Sequence, residues 1–74
     1  MRIVVNGESR EFSEGVTLSV LIDLLELPTQ RIAVELNRQV VRRVDWSTTV
    51  LKNDDRLEIV HFVGGGSVFS SNGK

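Results

Sequence analysis

The chain has 74 residues and a formal net charge of -1, with no cysteine and 41% hydrophobic residues. A chain of this length forms one domain and buries only roughly 60% of the surface that it exposes when unfolded. The near-neutral charge gives no basic surface for the phosphates of a nucleic acid, and the lack of cysteine excludes disulfides, thiolate metal sites and a thiol nucleophile.

A β-hairpin is predicted at the N-terminus. Arg2 to Asn6 is a β-rich run, Asn6-Gly7 is a residue pair favoured in two-residue hairpin turns, and Glu8 to Phe12 continues as a second strand. Strand-like sequence follows Arg2 where a signal peptide would have an apolar region, and no apolar run is long enough to cross a bilayer. We therefore expect a cytoplasmic protein with no membrane partner.

One amphipathic helix is predicted after the turn at residues 13–15. Thr17 is a typical N-cap residue, and Pro28 cannot continue a helix. Between them, apolar residues recur at helical spacing: Leu18, Leu21, Ile22 and Leu25. This apolar stripe needs a surface to cover, so we expect the helix to lie across one face of a single sheet.

Two further strands are predicted after the helix. Apolar and polar residues alternate from Arg31 to Asn37, which is typical of a half-buried strand. The piece from Gln39 to Arg43 is short, and its arginines are typical of an edge strand protected by charge. Arg38, Arg42 and Arg43 fit contact with an acidic partner equally well.

The last strand is predicted from Leu57 to Val63, after an irregular connection that begins at Trp46 and a turn at Asn53-Asp54-Asp55. A right-handed crossover through the helix places this strand parallel to the first one, near the middle of the sheet. The predicted fold is α+β: residues 1–63 form a four- to five-stranded mixed sheet packed on one helix.

Pleat alternation separates the apolar strand residues into two faces. We expect Ile3, Val5, Leu57 and Ile59 to face the helix. Val4, Val60 and Phe62 then lie on the opposite face and, with Gly64, form the expected partner-binding surface. The alternative is the reverse parity, which would make Phe62 a core residue.

Few side chains are arranged for chemistry. His61 has no second histidine and no serine or cysteine arranged with it, so we interpret it as a structural or surface residue. Asp54 and Asp55 are adjacent, as in a solvated turn, rather than placed as an acid/base pair. We therefore expect no catalytic side chain, no metal site and no bound cofactor.

Gly64-Gly65-Gly66 directly follows the last predicted strand. Because glycine has no Cβ, such an arm can lie extended in a narrow channel of another protein. A terminal glycine carboxylate that ATP has adenylylated is an acyl group open to attack by sulfur or nitrogen. Gly-Gly-Gly-Ser is equally typical of a flexible linker, so these residues alone leave both interpretations open. We expect residues 64–74 to form a flexible tail.

Several stretches of the sequence together carry a resemblance. They are Val5-Asn6-Gly7, Val34-Glu35-Leu36-Asn37, Val40-Val41-Arg42-Arg43, Trp46 and, most specifically, the closing stretch from Asn53 to Gly66. From Arg2 through Gly66 the chain resembles the thiamine-biosynthesis sulfur carrier family, the ThiS family of ubiquitin-like β-grasp proteins.

The resemblance implies a protein co-substrate rather than an enzyme. In this family a ubiquitin-activating-like adenylyltransferase uses ATP to adenylylate the terminal glycine. Sulfur from a persulfide on another protein then gives a thiocarboxylate, which donates sulfur to thiazole synthase. Carried over to this chain, the reactive residue is Gly66, and Gly65 is its extended neighbour.

The chain departs from the family pattern after Gly66. Family members usually end at the glycines, whereas Ser67 to Lys74 follow here, so Gly66 has no free carboxylate in the chain as written. Three explanations remain open: a protease trims the chain after Gly66, the extension is vector-derived, or carrier activity has been lost. We expect the extension to be removed by a processing protease.

Three other functions share part of the pattern. A molybdopterin-type sulfur carrier has the same fold and tail chemistry, although such proteins tend to be longer. A ubiquitin-like protein modifier would instead form isopeptide bonds with lysines. A pure interaction module would use the glycines only as a linker.

Overall fold

The computed structural model describes residues 1–63 and 67–70 and arranges them as a mixed sheet with one α-helix. The described strands are β1 (Arg2–Val5), β2 (Glu8–Glu11), β3 (Ile32–Leu36), β4 (Gln39–Val41), β5 (Asp55–Val63) and β6 (Ser67–Ser70). The helix is α1 (Leu18–Leu24), and 3-10 helices occur at Thr29–Arg31 and Arg43–Thr48. In this part of the chain no helical segment could span a bilayer.

The sheet has the strand order β2-β1-β5-β3-β4, which makes β5 the central strand. β1 and β5 are parallel, with Val5 beside Leu57, whereas β5 and β3 are antiparallel. The predicted parallel pairing of the first and last predicted strands is therefore confirmed. β4 lies at the edge, as predicted, and the nearby Arg42 and Arg43 are exposed.

Helix α1 begins and ends with identifiable caps. The Thr17 hydroxyl accepts a hydrogen bond from the Val20 N–H at 3.2 Å, which confirms the predicted N-cap. At the other end, the Glu26 N–H donates to the Asp23 carbonyl at 3.0 Å and the Leu27 N–H to the Ile22 carbonyl at 3.3 Å. This is a Schellman motif, in which Glu26 takes the left-handed position with a φ of 58°.

A single apolar core lies between α1 and the sheet. Its buried residues are Ile3, Val5, Val16, Leu18, Leu21, Ile22, Ile32, Val34, Trp46, Leu51, Leu57 and Ile59. Trp46 lies in the 3-10 helix Arg43–Thr48, and its indole N–H donates to the Val41 carbonyl at 3.0 Å. That hydrogen bond satisfies the indole polar group, so Trp46 can be buried without a desolvation penalty.

The expectation of an unstructured segment after Val63 is wrong for Ser67–Ser70. These residues form β6, which pairs antiparallel with the end of β5, Val63 opposite Ser67 and Val60 opposite Ser70. The physical reason is a vacant sheet edge: β3 occupies one side of β5 there, and β1 has already ended on the other side. The remaining residues of the predicted tail, 64–66 and 71–74, lie outside the described residues.

Candidate functional site

The glycines predicted to react are attached to the central strand of the sheet. β5 has neighbours on both sides: β1 along Asp55, Arg56 and Leu57, and β3 from Leu57 to His61. Its last residue, Val63, directly precedes Gly64. Gly64, Gly65 and Gly66 themselves lie outside the described residues, so the structure locates their point of attachment.

The side chain of Asn6 extends the pairing of β1 with β5 beyond the end of β1. Its Oδ1 accepts from the Ile59 N–H at 2.8 Å, and its Nδ2 donates to the Ile59 carbonyl at 3.4 Å. The Asn6 backbone N–H also donates to the Leu57 carbonyl at 2.9 Å, while its φ of 48° belongs to the predicted hairpin turn. Sequence reasoning predicted the turn but missed this contact. The asparagine amide can both donate and accept, but no local pattern indicates Ile59 as its partner.

Asn37 fixes the beginning of β5 in the same way. Its backbone N–H donates to the Arg56 carbonyl at 2.8 Å, and its Oδ1 accepts from the Arg56 N–H at 3.0 Å. Its Nδ2 donates to Asp55 Oδ1 at 3.0 Å. Because asparagine amides hold β5 from both sides, the strand that carries the glycines is a rigid support.

The predicted division of β1 and β5 into two faces is confirmed. Leu57 and Ile59 are 0% and 2% exposed on the helix side. Val4, Val60 and Phe62 are half-buried on the opposite, open face of the sheet, and none of the three belongs to the core. The alternative parity, with Phe62 in the core, is excluded. Val60 and Phe62 thus form an apolar patch on the open face near the end of β5, whereas Val4 lies beside Arg56 at the start of β5.

The open face also contains residues that sequence reasoning missed. A shallow depression of about 240 Å³ is lined by Ala33, Val34, Glu35, Val40, Glu58 and Val60. Val40 on β4 is 69% exposed, so the apolar surface extends from β5 across β3 to the sheet edge. Alternation along β3 indicates that Ala33 and Glu35 share the face opposite the core. Only the strand order shows that they lie beside Val60.

Two carboxylates lie directly opposite each other on this face. Glu35 on β3 is the register partner of Glu58 on β5, and both are exposed. None of the ion pairs among the described residues includes either of them. Like charges directly opposite in an antiparallel pair are destabilising, so this pair lowers the stability of the fold.

His61 lies on the helix side of the sheet and not on the open face. It is half-buried, opposite Ile32 on β3, and lines a groove of about 630 Å³ with Leu24 and Leu25 of α1. No cluster of potential metal ligands occurs among residues 1–63 and 67–70.

Asp54 is a turn residue, as predicted, whereas Asp55 is the first residue of β5. Asp54 Oδ1 lies 2.7 Å from the Arg2 guanidinium, and Asp54 has a φ of 72°. Asp55 Oδ2 accepts from the Lys52 N–H at 2.8 Å, and its other oxygen accepts from Asn37. Both carboxylates are therefore used to shape the connection into β5.

Comparison with known proteins gives a consistent family. The ThiS family model matches residues 3–66. The chain is 39% identical over 67 residues to a thiazole synthase of Paramagnetospirillum magneticum, a match that covers 90% of this chain and 21% of that protein. The chain thus spans about a fifth of that relative's length.

Two smaller proteins match over nearly their full length. The sulfur carrier protein ThiS of Bacillus subtilis is 30% identical over 63 residues, covering 84% of this chain and 96% of that protein. The crystal structure of a thiamine biosynthesis protein (ThiS) from Geobacter metallireducens superposes with a TM-score of 0.80 at 30% identity. That match covers 89% of this chain and 100% of the other.

Proposed function

The chain belongs to the ThiS family, and from this premise we propose that it is the sulfur carrier of thiamine (thiazole) biosynthesis, with the main-chain carboxylate of Gly66 as its reactive group. One observation carries the proposal: the central strand of a well-fixed sheet runs through Val63 directly into Gly64-Gly65-Gly66. The family match also ends at Gly66. The folded body then only has to present an acyl group, so no side chain of its own is needed for catalysis.

The chemistry takes place on the glycine carbonyl. The Gly66 carboxylate attacks the α-phosphorus of ATP within an activating enzyme, and pyrophosphate leaves, which gives an acyl adenylate. A persulfide on a donor protein attacks the acyl carbon, and AMP leaves. A second thiol splits the resulting acyl disulfide and releases the thiocarboxylate. Gly65 and Gly66 carry no side chain that would obstruct either attack.

Thiazole synthase is the proposed acceptor of the sulfur. Support comes from the relative in Paramagnetospirillum magneticum, in which a region similar to this chain makes up about a fifth of a protein named thiazole synthase. A carrier and an acceptor that must meet gain effective concentration when they are joined in one polypeptide. We propose that this chain meets the same kind of acceptor during sulfur transfer.

The open face of the sheet is the proposed docking surface. Val60 and Phe62 form its apolar part next to the glycine arm, which begins at Gly64. Val4 adds an apolar residue farther along the same face, beside Arg56. The Glu35–Glu58 pair adds negative charge that no ion pair of the described residues offsets. A partner surface with an apolar centre and a lysine or arginine opposite this pair would complement it.

Activation requires that the chain end at Gly66. A peptide bond to Ser67 removes the carboxylate that would attack ATP. We therefore propose that a protease cleaves between Gly66 and Ser67 before activation.

The proposal is tested with two forms of the protein and the cognate adenylyltransferase. Each form, the 74-residue chain and a chain ending at Gly66, is incubated with ATP, and pyrophosphate release and protein mass are measured. Only the form ending at Gly66 should release pyrophosphate and gain the mass of an adenylyl group. Equal reaction of the longer chain would place the reactive group elsewhere, and an inert Gly66-ended form would refute the proposal.

A further inference from the structure

The main-chain groups of β5 point alternately to its two sides, and the hydrogen bonds identify which side each faces. Arg56 exchanges hydrogen bonds with Asn37, on the β3 side. The Leu57 carbonyl and both polar groups of the Ile59 backbone bond to Asn6, on the β1 side. By this alternation, odd-numbered residues of β5 face the β1 side and even-numbered residues face β3.

His61 and Val63 are therefore the next residues whose N–H and C=O groups face the β1 side. β1 ends at Val5, and the Asn6 amide occupies the next position along this edge, at Ile59. Beyond Ile59, the main-chain N–H and C=O groups of His61 and Val63 are available to pair with another strand. β6 lies there, with Phe69 opposite His61 and Ser67 opposite Val63.

We propose that this edge of β5, at His61 and Val63, is a strand-addition site for an extended segment of a partner protein, and that β6 occupies the site in cis. An added strand gains affinity from main-chain hydrogen bonds, which depend little on its sequence. The position of β6 shows that the edge accepts an antiparallel strand. Residues opposite each other in such a pair share a face, so the incoming strand would place one side chain beside Phe62 on the open face.

The site lies directly before the glycine arm, since Val63 precedes Gly64. A strand bound here would lie alongside the start of the arm and hold it toward the partner. The assignment of that partner as the enzyme that receives Gly66 rests on the proposed function. The strand-addition edge and its occupation by β6 do not depend on it.

Occupation in cis makes β6 a competitor of the partner strand. A segment tethered three residues away has a high effective concentration, so it excludes a weakly binding external strand. Cleavage between Gly66 and Ser67 would vacate the edge in the same step that frees the carboxylate. The uncleaved chain would then fail to engage its partner for two reasons: β6 occupies the edge of β5, and Gly66 has no free carboxylate.

Amide hydrogen exchange, read residue by residue with NMR, tests the site. The samples are the full chain, a chain ending at Gly66, and that shorter chain with a synthetic peptide of residues 67–74 at millimolar concentration. The shorter chain keeps every residue of the core, which lies between Ile3 and Ile59. Loss of β6 should accelerate exchange at His61 and Val63 about tenfold, and the peptide should slow it again. Glu58 and Val60, which face β3, should exchange equally in all three samples.

Two proline variants of the full chain provide a matched control. Phe69→Pro removes an N–H that faces β5 at His61, whereas Val68→Pro removes an N–H that faces the outer side of β6. The first should accelerate exchange at His61, and the second should leave it slow. The proposal is overturned if His61 and Val63 exchange alike with and without residues 67–70, if Glu58 and Val60 accelerate equally, or if the peptide has no effect. None of these measurements uses ATP or the activating enzyme, so they can fail independently of the proposed function.

Discussion

Replacement of Asn6 separates its two contributions to the position of β5. The Asn6 side chain bonds to both polar groups of the Ile59 backbone, at 2.8 Å and 3.4 Å. Its backbone has a φ of 48°, a left-handed conformation that asparagine and glycine tolerate better than alanine. Asn6→Ala loses the hydrogen bonds and adds backbone strain, whereas Asn6→Gly loses the hydrogen bonds alone.

The expected magnitudes follow from these two terms. Loss of the hydrogen bonds to Ile59 costs about 1 to 2 kcal/mol, because two main-chain groups lose their partner. The left-handed backbone costs alanine about 1 kcal/mol more. Asn6→Ala should therefore lower the free energy of unfolding by about 2 to 3 kcal/mol, and Asn6→Gly by about 1 to 2 kcal/mol. In a domain of this size the alanine variant should melt about 8 to 24 °C lower.

Urea denaturation of the parent protein and the two variants measures the loss of stability, and amide exchange at Ile59 reports the loss of its hydrogen bond to Asn6. Exchange at Ile59 should accelerate in both variants, and the glycine variant should be the more stable of the two. If the free energy of unfolding falls equally in the two variants, the left-handed backbone does not strain alanine at position 6. If the Ile59 amide remains as protected as in the parent, the side chain of Asn6 does not support β5.

Three further predictions concern the helix end and the open face. Glu26→Gly should raise the free energy of unfolding by about 1 kcal/mol in urea denaturation, because glycine is unstrained at the left-handed position of the Schellman motif; an unchanged or lower stability would contradict this. Glu35→Gln and Glu58→Gln should each stabilise the fold by about 0.2 to 1 kcal/mol and weaken binding to the activating enzyme. The double variant should gain little more than either single one, and additive gains would show that the two carboxylates do not repel each other. Phe62→Ala should weaken binding to the activating enzyme, measured by calorimetry, and should still unfold cooperatively. The control is Leu24→Ala, at a residue 62% exposed on α1, which should leave the affinity unchanged. Equal effects of the two substitutions would exclude the open face as the docking surface.

Features that depend on neighbouring residues could be predicted from the sequence. The Thr17 cap, the Asn6-Gly7 turn and the alternation in β3 and β5 are local patterns, and each is confirmed. The central position of the last predicted strand followed from the preferred hand of the crossover connection. The face on which Phe62 lies followed from pleat alternation along the same strand.

Features that depend on register or on a vacant edge could not be predicted. Asn6 contacts Ile59, which is 53 residues away, and nothing in the local sequence of either residue indicates the other. Glu35 faces Glu58 only because β3 and β5 pair in one particular register.

Strand β6 illustrates the same limit. The glycine- and serine-rich composition after Val63 favours a flexible tail, and that local signal was wrong for Ser67–Ser70. Their pairing needs the free edge of β5, which exists only after the sheet has formed.

The candidate reactive group itself has no side-chain signature. A main-chain carboxylate leaves no cluster of residues for spacing or geometry to detect, and Gly64-Gly65-Gly66 alone is also typical of a linker. The assignment of Gly66 therefore came from the resemblance over the stretch from Asn53 to Gly66. The structure adds the rigid central strand to which that glycine arm is attached.

The central claim is that the Gly66 carboxylate carries the sulfur, and intact-mass analysis of the protein isolated from the cells that make it tests this most directly. We predict a species that ends at Gly66, accompanied by one whose mass corresponds to replacement of a terminal oxygen by sulfur. Cells in which every copy retains Ser67 to Lys74, while thiamine production still requires the protein, would contradict the claim.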